Sequence, residues 1–405
     1  MKQTPFSPAA VIRLDEPKPA DATPSRFALW ELGFRPFYLL ASAFAALSIA
    51  LWALQFSGVL GRTYLSGPIW HAHEMLFGFA LAVVVGFLLT AGRNWSGRPT
   101  PSGLPLMALA ALWLAGRILV LTPFGWAAAI VNAAFPLAAA FALGRALVQG
   151  GSRRNYVFVG LLVLMSAASV AVHLSQLGVA PAIGWVGVQV GLDALLLVIS
   201  VLTGRVLPMF TNNGVAGARA IARPAVDAVA SGSVLLLLFA DLVRVDAAAV
   251  AVVAGLGAAA HLLRCALWKP WKTLRQPIVW VLHVACLWIP VHLALRALAQ
   301  MGWMPASLAT HALTVGVVGG LVAGMMTRTA RGHTARPLRA DRRDIAIYAL
   351  VLAAAPVRVL LPWLAPSLTL HAVLCSALLW SAGFGLYAVS YWPVLTRSRL
   401  DGRPG

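Results

Sequence analysis

A chain of 405 residues that is 60% hydrophobic and only 11% charged lies far from the ~25% charge of a soluble domain, and its mean hydropathy is +0.83. These values exclude a soluble enzyme and place the chain among polytopic membrane proteins. A net charge of +19 can signal a nucleic-acid partner, but its distribution excludes one, because the basic residues fall into every second loop between apolar runs.

Residues 1–30 are polar, contain proline and carry mixed charge. They lack the order of charged, apolar and small residues that marks a cleaved signal, and we read them as a cytoplasmic tail. Runs of about 20 apolar residues, long enough for a bilayer of about 30 Å, then follow. They cover 33–56, 70–91, 104–122, 125–149, 155–178, 182–208, 224–243, 246–268, 277–298, 307–327, 344–364 and 367–392. The expected fold is all-α: about twelve transmembrane helices over residues 31–395, followed by a second cytoplasmic tail at 396–405. Lys and Arg gather at Arg93/Arg98, Arg145/Arg153/Arg154, Arg205/Arg219/Arg223, Lys269/Lys272/Arg275, Arg328 to Arg343 and Arg397/Arg399/Arg403. Positively charged loops stay in the cytoplasm, so both termini are expected there. Arg far exceeds Lys and Ala is abundant, as in a GC-rich bacterial genome, which points to a bacterial inner membrane.

This topology gives each histidine a depth. His71 and His73 open the second helix at the outer face, His311 opens the tenth and His371 the twelfth. His173 and His292 lie in the outer halves of helices 5 and 9, His283 lies deeper in helix 9, and His261 and His333 lie on the cytoplasmic side. Six of the 9 histidines therefore gather on one side. Ionisable groups inside a membrane usually serve a function, and imidazole is the commonest metal ligand. The densest motif is Trp70-His71-Ala72-His73-Glu74-Met75, whose imidazoles, carboxylate and thioether are ligand types for metals and haem iron. Residues two apart lie about 200° apart around a helix. His71 and His73 therefore serve different centres, unless the first turn is unwound. Met75 shares a face with His71 and packs in the core or assists as a ligand. Glu74 orders an imidazole N–H or complements the helix dipole. Cys265, Cys286 and Cys375 lie on separate helices without a CxxC or CxxCH motif, so any haem is held non-covalently, as b-type.

Helices 2 and 10 share a pattern. His73 is followed by Gly78, Ala82 and Gly86, and His311 by Ala312, Gly316, Gly320 and Gly324. Small residues four apart admit a neighbouring helix or a flat cofactor. Helix 6 has Gly187 and Gly191 without a histidine, and Thr90 to Arg93, Thr203-Gly204-Arg205 and Thr327-Arg328 close the three. A period of four helices suggests three four-helix quasi-repeats. Pro208 is expected to end or kink helix 6. Arg117 and Asp193 are both intramembrane, which suggests an ion pair between them, or an Arg117 that holds a haem propionate.

Several of these segments resemble the NnrS family. They are Trp70 to Gly78, Gly86-Phe87-Leu88-Leu89-Thr90, Asn94-Trp95-Ser96-Gly97, Gly204 to Thr211, Trp280-Val281-Leu282-His283, His311 to Gly316, Thr327 to Thr334 and Asp401-Gly402-Arg403-Pro404. The resemblance runs from about Gly33 to the C-terminus. It implies a haem- and copper-containing protein of the bacterial inner membrane, acting in nitric oxide metabolism and against nitrosative stress, often in denitrifying bacteria. The motif positions His71, His73, His283 and His311 are the expected metal ligands, with His292 and His371 ranked lower. Iron is expected on His73 and/or His311, with Arg117 beside it, and copper on His71 with His283 or His292. Glu74 and Met75 would support them. The expected partners are the lipid bilayer, nitric oxide or a related small molecule, and a quinone or cytochrome as electron donor. Twelve helices with histidines opening the second and tenth also resemble the catalytic subunit of haem–copper oxidases, but helices 6 and 7 lack that superfamily's copper histidines, so its reduction chemistry is not carried over. The competing expectation is a transporter or channel for copper, protons or a small anion, using Asp193, Arg117, Glu74 and Asp241.

Overall fold

A chain crossing hydrocarbon must satisfy its backbone internally, which leaves helix for runs of this length. The computed structural model describes residues 26–56, 64, 65 and 67–403. Its membrane helices are α1 (Phe34–Phe56), α2 (Gly67–Ser96), α3 (Leu104–Leu119), α4 (Gly125–Gln149), α5 (Tyr156–Gln176), α6 (Gly184–Gly214), α7 (Pro224–Val243), α8 (Ala247–Leu267), α9 (Pro277–Gln300), α10 (Ala306–His333), α11 (Arg342–Leu364) and α12 (Thr369–Thr396). Eleven are long and apolar enough to cross a membrane, which makes this a polytopic membrane protein; α3 is the shorter exception. Its helix stops at Leu119 rather than near 122, because Pro123 disfavours the helical conformation in the residue before it. Pro208 does not end α6, which continues to Gly214. Interior prolines also sit in α4, α9, α11 and α12, where packed neighbours make up for the lost backbone bond.

Three helices form the centre. Buried shares are 78% for the α2 span and 72% for those of α6 and α10, against 28–61% for the other long spans. These are the helices with small residues four apart, and their glycines let neighbours approach. A Cβ on Gly187 would lie 2.5 Å from the carbonyl oxygen of Ala168 in α5, and one on Gly316 would lie 2.5 Å from the Trp288 ring of α9. One on Gly324 would lie 2.6 Å from Leu282. The stripes therefore serve helix packing. Around the centre the chain forms three four-helix groups: α2–α5, α6–α9, and α10–α12 completed by α1, which packs along α12.

The N- and C-terminal segments meet. Phe27 and Arg397 form an isolated antiparallel bridge, and Ala28 N donates to Thr396 O at 2.7 Å. Buried Arg35 donates from Nη1 to the carbonyls of Leu395 and Arg397 at 3.0 and 2.8 Å. Residues 26–30, the last of the expected tail, are thus tied to the bundle, and 1–25 lie outside the described residues. The basic loops share one end of the bundle. Arg98 Nε donates to Gln149 O at 3.3 Å, Ile221 N to Leu267 O at 3.1 Å, and Arg399 Nη1 to His333 O at 2.9 Å. We call this the arginine end and the opposite one, where α2 and α10 begin, the histidine end.

Candidate metal centres

α2 is regular through His73 and then widens into a π-helical segment, Glu74–Ala80. α10 does the same directly after His311, over Ala312–Gly319. Such segments often accompany functional sites, and α6, which has no histidine here, is α-helical throughout. Because the turn before His73 is not unwound, His71 and His73 point to different sides. Each meets one other histidine.

His71 lies beside His311, with ring centroids 6.4 Å apart and planes within 12°. Trp52 of α1 stacks on His71 at 5.1 Å. His311 Nδ1–H donates to Ser307 O at 2.7 Å, which leaves Nε2 with its lone pair. His71 Nδ1 is buried and without a partner.

His73 meets His173 of α5, with centroids 4.8 Å apart and the rings nearly perpendicular. His73 Nδ1–H donates to Glu74 Oε1 at 2.8 Å. The same oxygen accepts from Arg117 Nη1, while Arg117 Nη2 donates to Asn132 Oδ1. Asn132 is fixed in turn by donating to Ala128 O at 2.8 Å. Gly78 lies one turn below Glu74, and a Cβ there would come within 2.5 Å of the Arg117 guanidinium. Its carbonyl accepts from Trp113 Nε1 at 2.9 Å. Tyr64, just before α2, places its hydroxyl 3.1 Å from His173 Nδ1 and 3.2 Å from that residue's carbonyl oxygen. Burial pushes the Tyr64 phenol up to about 12, so it stays neutral, donating to the carbonyl and accepting from Nδ1–H. His173 Nε2 is then a buried lone pair without a partner. His73 Nε2 has only Ser169 Oγ, 3.4 Å away. Both rings thus have one nitrogen oriented by a protein group, as in metal-bound histidines; the other is unpartnered in His173 and held only by the long Ser169 contact in His73.

The remaining sequence candidates lie elsewhere. His283 donates to Thr211 Oγ1 at 2.8 Å, nearer the arginine end, and joins neither pair. His292 Nδ1–H donates to Ala309 O at 2.8 Å, and its Nε2 is buried without a partner. His371 is exposed and Met75 packs against the core. The expected Arg117–Asp193 pair does not form. Arg117 instead donates from its two terminal nitrogens to Glu74 and Asn132, and its Nε is buried without a partner. Asp193 binds Arg296 Nη1 at 2.7 Å, and Arg296 Nη2 binds Asp241. Asn132, Ser169 and Tyr64 carry no mark of the site in the sequence, and His173 is one of the six clustered histidines without being an expected ligand. For His173 the one available signal was its depth.

Among the described residues no group of three or more His, Cys, Asp or Glu could hold a metal ion. A closed tetrahedral zinc site of protein ligands is therefore not what these pairs offer. Farther toward the arginine end, α2, α6 and α10 enclose a cavity of about 80 Å³ lined by residues such as Val84, Leu195, Leu202, Val322 and Met325. Among the described residues no charged or histidine side chain lines it, and its polar side chains are those of Tyr38 and Thr203.

The family model described as NnrS protein matches residues 28–399. None of the curated proteins matches. With nearly all of the described chain covered by that match, this polytopic membrane protein belongs to the NnrS family, which is associated with the nitric oxide response.

Proposed function

We propose that the protein binds haem iron and copper through its two histidine pairs and acts on nitric oxide or a related small molecule in a bacterial inner membrane, protecting against nitrosative stress. The observation that carries this reading is the pair of two-imidazole sites with free ring nitrogens. Copper in its reduced state and the iron of a porphyrin need only one or two protein ligands, and both accept imidazole.

The donor chemistry fits both groups, with an arrangement different from the expected one. His71 and His311, whose ring centres lie 6.4 Å apart, would hold the haem iron. His73 and His173 suit copper, and the Glu74 carboxylate behind His73 is the usual outer partner of a metal-binding imidazole. Iron and copper both bind nitric oxide, which is the chemistry the two groups supply. The chain's own part is to orient. Glu74 and Tyr64 hold the Nδ1 protons of His73 and His173, Ser307 holds that of His311, and Arg117 balances the Glu74 charge. Positively charged loops favour the cytoplasm, which supports an orientation with the arginine end and both termini there and the histidine pairs on the periplasmic side. Electrons would come from a quinone or a cytochrome. A transporter or channel is less well supported, since Glu74, Arg117, Asp193 and Asp241 are all engaged in ion pairs.

Purified protein is expected to show a Soret band that shifts on dithionite reduction and on adding nitric oxide, with stoichiometric iron and copper by elemental analysis. A folded, colourless and metal-free preparation would overturn the proposal.

A further inference from the structure

We propose that the cavity on the axis of α2, α6 and α10 is a binding site for one small uncharged molecule of the size of a dissolved gas. The three helices build its wall in one register. Ala80 of α2 stands seven residues after His73, and Val318 of α10 seven after His311. Leu195 of α6 stands seven after Val188, which takes the histidine's place on the helix without one. On each helix the residues three, four and seven positions farther on also line the cavity, as one stripe of a helix does. The glycines turn to the outer helices instead, Gly316 to Trp288 and Gly324 to Leu282. The axis is left to branched side chains, and valines such as Val84 and Val322 are too short to meet across it. At 1.5 Å per residue the cavity starts about 10 Å along the helices from the histidines, so it is separate from the metal sites. Ala80, Leu195 and Val318 close it on the histidine side, each no more than 4% exposed. Val84, Ile199 and Val322, one turn on, are half-buried, so its open side faces the arginine end.

Polarity and volume narrow the ligand. Of the two polar side chains on the wall, Thr203 donates its hydroxyl to Ile199 O of its own helix at 2.8 Å. A water held in a cavity needs two to four polar partners, and the remaining phenol of Tyr38 does not supply them. An ion would enter without a compensating charge, at a high cost. The occupant is therefore uncharged and apolar. An apolar cavity of about 150 Å³ stays dry and admits benzene or xenon. This one has about 80 Å³, room for a xenon atom or a diatomic gas and too little for an aromatic ring or a quinone head. With nitric oxide as the occupant, which rests on the function proposed above, the cavity is a store of the gas beside the metal sites; the site itself does not depend on that reading.

The test uses the full-length protein in detergent and saturation-transfer NMR of hyperpolarised xenon, with empty micelles as the reference. Folding of each variant is checked by circular dichroism and gel filtration. Wild type is expected to show a bound-xenon resonance distinct from that of the micelles. Val322→Phe, which fills the cavity from α10, is expected to weaken that resonance at least tenfold. Equal resonances in the two proteins overturn the site. So does the absence of a bound resonance in wild type, which is also what a lipid or detergent tail lodged in the cavity would give. Displacement of the xenon by benzene overturns the assignment to a gas-sized ligand. Should Val322→Phe not fold, Val84→Leu decides: one added methylene from α2 is expected to lower the signal several-fold, and an unchanged signal overturns the site. Xenon needs no metal, so a protein without haem or copper would defeat the function proposed above and leave this test intact.

Discussion

Replacing Arg117 by alanine is expected to destabilise the protein by about 3–5 kcal/mol, the usual cost of leaving one member of a buried ion pair without its partner. Side-chain exposure is 6% for Arg117 and 1% for Glu74, so water cannot take over the lost interaction. The Glu74 carboxylate would keep only the His73 N–H, and Asn132 Oδ1 would lose its charged donor. His73 would also lose its fixed orientation, so bound copper should fall with stability. Removing both charges is a different matter, because an uncharged pair of similar volume often replaces a buried ion pair at little cost. Glu74→Gln combined with Arg117→Met should therefore melt closer to wild type than Arg117→Ala does. Thermal unfolding in one detergent compares the three, and an Arg117→Ala protein as stable as wild type would remove this cluster from the account.

The second large effect is expected at Arg296. Its side chain, 6% exposed, separates Asp193, which is fully buried, from Asp241, which is 15% exposed. Arg296→Ala would leave two carboxylates facing each other across the gap, with Asp193 unable to reach water. A loss of at least about 3–5 kcal/mol follows from the unpaired charge alone. Asp241→Asn should cost much less, because Asp193 continues to hold the arginine at 2.7 Å and Gln189 still donates to Asp193 at 3.2 Å. The comparison is again made by thermal unfolding. Equal losses in the two variants would mean that burial does not rank these groups as described.

Much of the architecture was legible because hydrocarbon allows few solutions. Runs of about 20 apolar residues require helices, and small residues four apart mark those that neighbours approach closely, α2, α6 and α10, which the structure puts at the centre. The helical angle also separated His71 from His73 correctly. Partners across the bundle were not legible. Periodicity tells which face a residue occupies and leaves open what that face meets. His73 and His173 are a hundred positions apart, and nothing local joins them. Arg117 and Asp193 were matched on charge and depth alone, although each had a nearer partner on another helix. The π-helical segments after His73 and His311 leave no mark on composition, because the same residues are only wound one step wider. Of the two outcomes expected at Pro208, an end to the helix does not occur, because packed neighbours make up for the lost bond.

The central claim is that the two histidine pairs are separate metal sites. It is tested most directly by measuring iron and copper per folded chain in four alanine variants, at His71, His311, His73 and His173. The account predicts a partition: His71→Ala and His311→Ala lose iron at least tenfold and keep copper, while His73→Ala and His173→Ala lose copper and keep iron. Metal losses that group His73 with His311, or that leave both metals in place in all four variants, would contradict it.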